Sequence, residues 1–252
     1  MPELVLTNFT DGCATVLMNR PQARNALSVD LIEALDRSLD HIEAEARAGR
    51  ARVMVLGGSG EAFCAGMDLK AVLSDPPAMR RALHGLARLL RRIRALSIPT
   101  IARVQGAAMG GGCGLMVITD FALTHAEARV GYPEVSLGLC PAVVAPWLIR
   151  KIGAGGARAM LLGGHAITGS EAHELGLASH LAPRERLEST TSELAAELAQ
   201  GSASALATTK RWLNELEGPV DEALAARGAD LSADILAGPE AQSRLRARFR
   251  AE

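Results

Sequence analysis

Hydrophobic positions recur along the chain with two different periods, and their alternation predicts a mixed α/β protein. The clearest helical stripe has a 4-3-4-3 spacing. It consists of Met79, Leu83, Leu86, Leu90 and Ile93. A second stripe follows Ser28, a favourable N-cap residue, and consists of Leu31, Leu35, Leu39 and Ile42. Compact β-rich runs lie at residues 4–9, 13–18, 52–56 and 99–104.

The alternation of strands and helices continues to about residue 185 and then stops. Further strands are predicted at residues 121–124, 128–132 and 178–181, and helices at 143–152, 156–162 and 170–176. Alternating elements favour parallel strands joined by right-handed crossovers. After Pro183 the pattern is only helical. We therefore expect an α/β core that carries the functional site over residues 1–185 and a helical region over 186–252.

Composition and charge exclude several classes of protein. The chain has 252 residues, 48% of them hydrophobic and 22% charged, which is ordinary for a globular protein. Aromatic residues are only 3%, which argues against base-stacking platforms for single-stranded nucleic acid. A net charge of −1 gives no global attraction to nucleic acid or to an anionic membrane.

The termini and cysteines favour a cytoplasmic protein. The four cysteines are widely spaced and form no C-x-x-C, so we expect buried thiols in a reducing compartment. The first residues show no basic segment followed by an apolar one, as a secretory signal would. No apolar stretch approaches the roughly 20 residues that a membrane span needs, so we expect no membrane association.

Two glycine-flanked loops, each following a strand, are candidates for binding an oxygen that becomes negatively charged. They lie at residues 65–67 and 110–112, and the second leads directly into a predicted helix. The first N–H groups of a helix have no intrahelical partner, and glycine lets a ligand approach them. Two convergent N–H donors would form an oxyanion hole. The alternative for an isolated glycine run is close packing of helices.

One carboxylate and one helical face are further candidates. Glu134 lies in a turn bounded by proline and glycine, among apolar neighbours that would raise its pKa and suit acid–base chemistry. The alternative is a solvated surface charge. The helix at residues 79–94 also carries arginines on its polar face, and these could bind phosphate or RNA or simply be solvated. They are Arg80, Arg81, Arg88, Arg91, Arg92 and Arg94.

Other cofactor sites find no support. The six histidines show no paired spacing, so we expect no metal site. The glycine loop matches neither a phosphate-binding G-x-x-x-x-G-K-[ST] nor a dinucleotide G-x-G-x-x-G pattern.

Taken in order, the motifs resemble those of the crotonase, or enoyl-CoA hydratase/isomerase, superfamily. They are FCAGMDL at residues 63–69, QGAAMGGG at 105–112, PEVSLG at 133–138, the NRP and NAL segments at 19–21 and 25–27, and the late A-x-x-x-G at 172–176. The resemblance covers essentially the whole chain. It implies a spiral of ββα units, with C-terminal helices that form a homotrimer or a dimer of trimers.

The resemblance also implies a substrate and a set of site residues. The substrate would be an acyl-CoA thioester, which carries its own coenzyme A, so that no separate cofactor is needed. The backbone N–H groups of Met67 and Gly111 would form the oxyanion hole, and Glu134 would be the catalytic carboxylate. The substrate- and CoA-binding positions would be Arg24, Ala26, Ala65, Gly66, Asp68, Leu69, Lys70, Gly110 and Pro133.

One departure from the family pattern bears on the reaction. Classical hydratases of the family carry two catalytic glutamates, and here the first of those positions is Gly114. A single carboxylate can still move a proton in a hydration or in the migration of a double bond. We therefore expect an enoyl-CoA hydratase-type enzyme, with a Δ3-Δ2 enoyl-CoA isomerase as the alternative. A third possibility is a non-catalytic member that binds CoA esters or RNA.

Overall fold

Two β-sheets and a surrounding set of helices make up the protein. A computed structural model describes residues 3–70 and 75–250. Within these ranges the strands are β1 (Val5–Thr10), β2 (Cys13–Met18), β3 (Val53–Gly58), β4 (Thr100–Val104), β5 (Ala108–Met109), β6 (Phe121–Thr124), β7 (Arg129–Gly131), β8 (Ala166–Thr168) and β9 (His180–Leu181). The α-helices are α1 (Val29–Arg47), α2 (Pro76–Ala95), α3 (Gly111–Val117), α4 (Ala145–Gly163), α5 (Gly169–Glu174), α6 (Leu187–Gln200), α7 (Ala203–Leu216), α8 (Glu222–Ala237) and α9 (Pro239–Arg250).

The larger sheet has six strands in the order β1-β2-β3-β4-β6-β9. Its first pair is antiparallel, and each later pair is parallel. The smaller sheet has the order β5-β7-β8, in which β5 and β7 are parallel and β7 and β8 are antiparallel. The predicted α/β class with parallel pairing is therefore confirmed.

The two predicted amphipathic stripes face the core. Ser28 caps α1 by accepting a hydrogen bond from the backbone N–H of Leu31, and the apolar stripe of α1 is buried. The stripe of α2 is buried as well, and α2 packs against both α1 and α8. Every residue of the central strand β3 is buried, as expected for a parallel strand covered on both faces.

Arginines on the polar face of α2 form ion pairs with the neighbouring helices. Arg80 pairs with Asp230 and Asp234 of α8. Arg92 reaches three carboxylates of α1, with Nη–O distances of 2.8 Å to Asp36, 2.7 Å to Asp40 and 3.0 Å to Glu43. Arg81, Arg88 and Arg94 also lie within ion-pair distance of carboxylates. Apart from Arg81, whose partner Asp75 is the N-cap residue of α2 itself, these side chains connect α2 to other parts of the protein.

Three local features differ from the sequence-based expectation. Strands β5 and β8 were not predicted, because their two and three residues carry little pattern and are ordered by pairing with β7. The two helices predicted at residues 143–162 join into one, kinked at Gly153, whose φ of 75° lies in the left-handed region. The turn expected at residues 133–139 contains a short 3-10 helix, Glu134–Leu137.

The C-terminal helices pack on the α/β core. Helix α6 lies on one face of the larger sheet, where Leu187 and Ala195 join a cluster with Val53, Val55 and Ile101. No helix in the described part of the chain has both the length and the apolar character needed to cross a membrane. The boundary proposed at residue 185 separates the strands from the later helices, yet these helices share the core.

A buried ion pair joins α7 to the sheet and gives a test of this packing. Lys210 donates hydrogen bonds to Asp120, at 2.7 Å, and to the carbonyl of Ile98, at 2.9 Å. Its side chain is only 9% exposed, and burial lowers the pKa of its ammonium group. Breaking a buried pair leaves a desolvated charge without its partner.

We expect Lys210→Met to lower the free energy of unfolding by about 3 kcal/mol in urea titrations. The neighbouring Arg211 is exposed, so Arg211→Met should change it by no more than about 0.5 kcal/mol. Equal effects of the two substitutions would show that the pair does not hold α7 in place.

Candidate active site

The two predicted glycine loops lie side by side. Cys64 donates its backbone N–H to the carbonyl of Ala107 at 2.9 Å, and Met109 donates to the carbonyl of Cys64 at 2.9 Å. Beyond these two hydrogen bonds the two loops stay in contact, since a Cβ built on Gly66 would lie 2.8 Å from the carbonyl oxygen of Met109. The contact brings residues 65–67 against residues 109–111.

Two backbone N–H groups at this contact are available to a ligand. The N–H groups of the adjacent residues are already hydrogen-bonded: that of Asp68 donates to the carbonyl of Leu27, and that of Gly110 donates to the carbonyl of Gly131. Within the described part of the chain, neither the N–H of Met67 nor that of Gly111 donates to a backbone carbonyl. Gly111 is the first residue of α3, where an N–H has no intrahelical partner and lies at the positive end of the helix.

Glu134 lies directly beside this pair of donors. It begins the 3-10 helix after β7, and a Cβ built on Gly110 would lie 2.8 Å from its Oε1 atom. Gly110 also has a φ of 52°, so both its conformation and the proximity of the carboxylate favour glycine there. The Oε2 atom of Glu134 is buried and has no hydrogen-bond partner among the described residues. Burial raises the pKa of Glu134 to about 7.

The donors and the carboxylate line one apolar cavity of about 100 Å³. Its described wall comes from both loops, from α2, from the segment around Glu134 and from α8. It includes Met79, Leu83, Leu86, Leu137, Leu139, Val143, Val144 and Leu236. Ser232 also lines the cavity, but its hydroxyl donates to the carbonyl of Cys140 at 2.8 Å. Glu134 is the one charged side chain of this described wall.

Val144 fills the space that a side chain at Gly114 would need. A Cβ built on Gly114 would lie 2.5 Å from the Cγ1 atom of Val144, closer than two carbons approach. Val144 itself is buried and lines the cavity. A second carboxylate at residue 114 therefore has no room, and an apolar group lies there instead.

The N-terminal loop is bound to the first glycine loop. Ala65 donates its N–H to the carbonyl of Arg24, and Leu27 donates to that of Gly66. Asn25 is fully buried, and its Nδ2 atom lies within hydrogen-bond distance of the carbonyls of Ser59, Ala62 and Phe63. The strand-like pairing of Leu27 with Met67 fixes the backbone that carries the N–H group of Met67.

Most of the predicted site residues meet at the cavity. Those that line it are Ala65, Gly66, Met67, Leu69, Gly110, Gly111, Pro133 and Glu134. Four others do not belong to its described wall. They are Arg24, which is exposed; Ala26, whose carbonyl accepts from Arg20; Asp68, which pairs with Arg20 at 3.1 Å; and Lys70, whose ammonium lies over the ring of Phe249 at 5.3 Å. Their proposed contact with coenzyme A remains a prediction.

The sequence missed the apolar wall and the buried Asn25. The stripe of α2 was recognised as amphipathic, but its period does not reveal which cavity it faces. Leu236 and Ser232 come from the helical region assigned outside the core. Asn25 offered one signal, since asparagine tolerates the left-handed conformation that it adopts here, with a φ of 56°.

Comparison with known proteins agrees with this arrangement. The enoyl-CoA hydratase/isomerase family model matches residues 8–239, and the chain belongs to this family, the crotonase superfamily. It is 34% identical over 207 residues to the enoyl-CoA hydratase EchA19 of Mycobacterium tuberculosis, covering 80% of this chain and 77% of the relative.

Two further comparisons extend the likeness. The chain is 33% identical to the 2,3-dehydroadipyl-CoA hydratase of Escherichia coli, covering 85% of this chain and 83% of the relative. The crystal structure of an enoyl-CoA hydratase from Mycobacterium avium superposes with a TM-score of 0.88 at 27% identity, covering 100% of this chain and 98% of the other. The predicted crotonase fold is therefore confirmed.

The desolvation of Glu134 predicts a pH-dependent cost in stability. Its pKa is about 7 in the folded protein, above the ordinary value of 4.5. Below 4.5 the group is neutral in both states; as pH rises from 4.5 to 7, ionisation increasingly favours the unfolded chain.

We expect Glu134→Gln, which stays neutral, to gain stability relative to the parent protein by roughly 2–3 kcal/mol between pH 5 and pH 8. Urea titrations at the two pH values measure the gain. The surface substitution Glu174→Gln is the control and should show no comparable change. A difference independent of pH for Glu134→Gln would contradict the desolvation of this carboxylate.

Proposed function

We propose that the protein is an enoyl-CoA hydratase-type enzyme that adds water across the double bond of a 2-enoyl-CoA thioester. The observation that carries the proposal is the juxtaposition of two unclaimed N–H groups, from Met67 and Gly111, with the carboxylate of Glu134. Several relatives of the chain are named as hydratases, which also supports the proposal. Coenzyme A arrives with the substrate, so the proposed steps need no other cofactor.

The thioester carbonyl oxygen would accept hydrogen bonds from both N–H groups. Addition of an oxygen nucleophile at Cβ moves the electrons of the double bond towards that carbonyl, which gives an enolate. Donors already fixed in a water-poor cavity stabilise this negative charge without reorganising, and one such donor typically contributes a factor of about 10²–10³ in rate. The positive end of α3 acts in the same direction.

Glu134 would carry the proton between water and substrate. The ionised carboxylate takes a proton from water while the hydroxide oxygen bonds to Cβ. The same proton then passes to Cα as the enolate collapses, so that Glu134 ends as it began. A pKa of about 7 places both protonation states within reach near neutral pH.

A second candidate reaction is isomerisation of a 3-enoyl-CoA to a 2-enoyl-CoA. The observation that favours it is Val144, which puts an apolar group where a second carboxylate would otherwise help to position water. Here Glu134 removes a proton from C2, the dienolate forms in the same oxyanion hole, and the proton returns at C4. No water takes part in this reaction.

The non-catalytic, RNA-binding alternative has less support. It depended on a free arginine face along α2, and those arginines pair with carboxylates or bind backbone carbonyls. Such pairs offset the positive charge that would otherwise attract the phosphate groups of RNA.

The surface of the C-terminal helices supports a proposal for assembly. Large apolar side chains are exposed on α7 and α8, namely Trp212, Leu213, Leu216, Leu224, Leu231 and Ile235. Exposed apolar residues concentrated in this way are typical of protein interfaces. We therefore propose that these helices pack between copies of the chain in a homotrimer or a dimer of trimers.

Replacing the single carboxylate tests the catalytic proposal. We expect Glu134→Gln to lower kcat by about 10²–10⁴-fold on crotonyl-CoA and on a 3-enoyl-CoA, because proton transfer is lost. The Kd for a saturated acyl-CoA should remain similar, since the substitution keeps shape and volume. Absorbance of the conjugated thioester and analysis of products measure both reactions.

Glu174→Gln again serves as the control and should leave turnover unchanged. Retention of activity by Glu134→Gln would exclude this residue as the acid–base group. The ratio of hydration to isomerisation in the parent protein decides between the two candidate reactions.

The apolar wall predicts a preference for uncharged acyl chains. The described wall offers no lysine or arginine, and the Ser232 hydroxyl already donates its hydrogen to the carbonyl of Cys140. A carboxylate at the far end of the acyl chain would be buried without a partner. We expect 2-hexenoyl-CoA to exceed 2,3-dehydroadipyl-CoA, its length-matched dicarboxylic counterpart, by about 10²-fold or more in kcat/KM. Equal kcat/KM values for the two substrates would show that the far end of the acyl chain does not lie in this cavity.

A further inference from the structure

A buried histidine is bonded to the loop that carries Gly111. His125 directly follows β6, and its side chain is only 4% exposed. Its Nε2 atom donates to the backbone carbonyl of Gln105 at 3.2 Å, where β4 ends and the glycine loop begins. A carbonyl can only accept, so Nε2 carries the hydrogen.

The second ring nitrogen of His125 also faces an acceptor. Its Nδ1 atom lies 2.9 Å from Oε2 of the exposed Glu127. This hydrogen bond lowers the pKa of the Glu127 carboxyl, and the nearby Arg184 guanidinium adds to the effect. The contact with Glu127 on one side of the ring orients the imidazole so that Nε2 points towards Gln105.

Gln105 extends the connection to the other loop. Its Nε2 atom donates to the carbonyl of Gly58 at 2.6 Å and to that of Ala62 at 3.0 Å. Because these acceptors surround Nε2, they fix the orientation of the amide. Residues 58–62 lead directly into the segment that ends at Met67. Gln105 thus has its backbone in one oxyanion-hole loop and its side chain bonded to the other.

We propose that His125 and Gln105 are positioning residues for the oxyanion hole. Together they hold the loop of Gly111 and the loop of Met67 at the separation that lets one carbonyl oxygen contact both N–H groups. Neither side chain belongs to the described wall of the cavity, so they act through the backbone. The inference rests on the proposed function, since it assumes that these two N–H groups bind a thioester carbonyl.

The test compares two disruptive substitutions with a matched control. His125→Phe keeps a ring without a donor, and Gln105→Met keeps length without an amide. Thr119→Val is the control. The Thr119 hydroxyl is also buried and also hydrogen-bonded to the backbone, since it lies within hydrogen-bond distance of the carbonyls of Met116 and Phe121, but at the opposite end of β6.

The spectrum of bound 2,4-hexadienoyl-CoA reports on the oxyanion hole. Donors to the carbonyl polarise the conjugated thioester and shift its absorbance to longer wavelength. We expect His125→Phe and Gln105→Met to reduce this shift and to lower kcat by about tenfold or more, as misplacement of catalytic groups does. The Kd for a saturated acyl-CoA should change by less than about threefold, because the cavity wall is intact. Thr119→Val should leave the spectrum and kcat unchanged.

Hydrogen–deuterium exchange of the unliganded protein gives a readout that does not depend on activity. In both disruptive variants, exchange should rise in peptides covering residues 58–67 and 105–111, and Thr119→Val should leave it unchanged there. Unchanged exchange, spectrum and kcat in folded His125→Phe and Gln105→Met would overturn the inference. Equal losses in Thr119→Val would also overturn it, by assigning the effect to general destabilisation.

The two proposals fail separately. If the parent protein neither turns over enoyl-CoA esters nor shifts the dienoyl spectrum, the proposed function is wrong, and exchange still tests the connection between the loops. If the parent protein does both and the variants match it, only the positioning role is wrong. Should His125→Phe fail to fold, Glu127→Gln removes the orienting carboxylate at the surface and should cause a smaller change of the same kind.

Discussion

The backbone pairing between residues 64 and 107–109 is the contact on which the rest of the site depends. Neither Met67 nor Gly111 has a side chain suited to binding an oxyanion, and in the proposed reaction both would contribute through a backbone N–H. A backbone donor is placed only by the path of its chain, so the two loops must be fixed against each other. The two backbone hydrogen bonds of Cys64 do this at the centre, while Asn25 and Gln105 bind the turn that precedes the first loop.

The same arrangement explains why Glu134 is kept in an unfavourable environment. A solvated carboxylate would keep its ordinary pKa and would remain ionised at neutral pH. Apolar side chains from α2, from the segment before α4 and from α8 line the cavity around the group and keep water from it, which opposes ionisation. The buried carboxyl group therefore costs stability at neutral and alkaline pH, and its pKa lets it both accept and return a proton near neutral pH, as the proposed reaction requires.

The helices after residue 185 are part of this environment as well as a candidate surface for assembly. Helix α8 packs against α2, and it lies so close to the segment before α4 that a Cβ on Gly228 would approach the carbonyl oxygen of Ala142 to 2.9 Å. It thereby places Leu236 in the wall of the cavity. The ion pairs between Arg80 and the acidic residues of α8 add directional contacts to the apolar packing. The division into core and tail describes secondary structure better than it describes the site.

Local pattern was enough for the amphipathic stripes of α1 and α2, for the central strands, and for the motifs that identify the family. These features depend on residues near one another in sequence, whose spacing follows from helix and strand periods. Only the tertiary structure decided which surfaces those stripes meet, that Val144 fills the space beside Gly114, and that His125 reaches the glycine loop. Each of these contacts joins segments separated by other elements, and the short strand β8 is likewise ordered by pairing alone. Periodicity shows that a side chain is buried, but the three-dimensional path of the chain selects its neighbours.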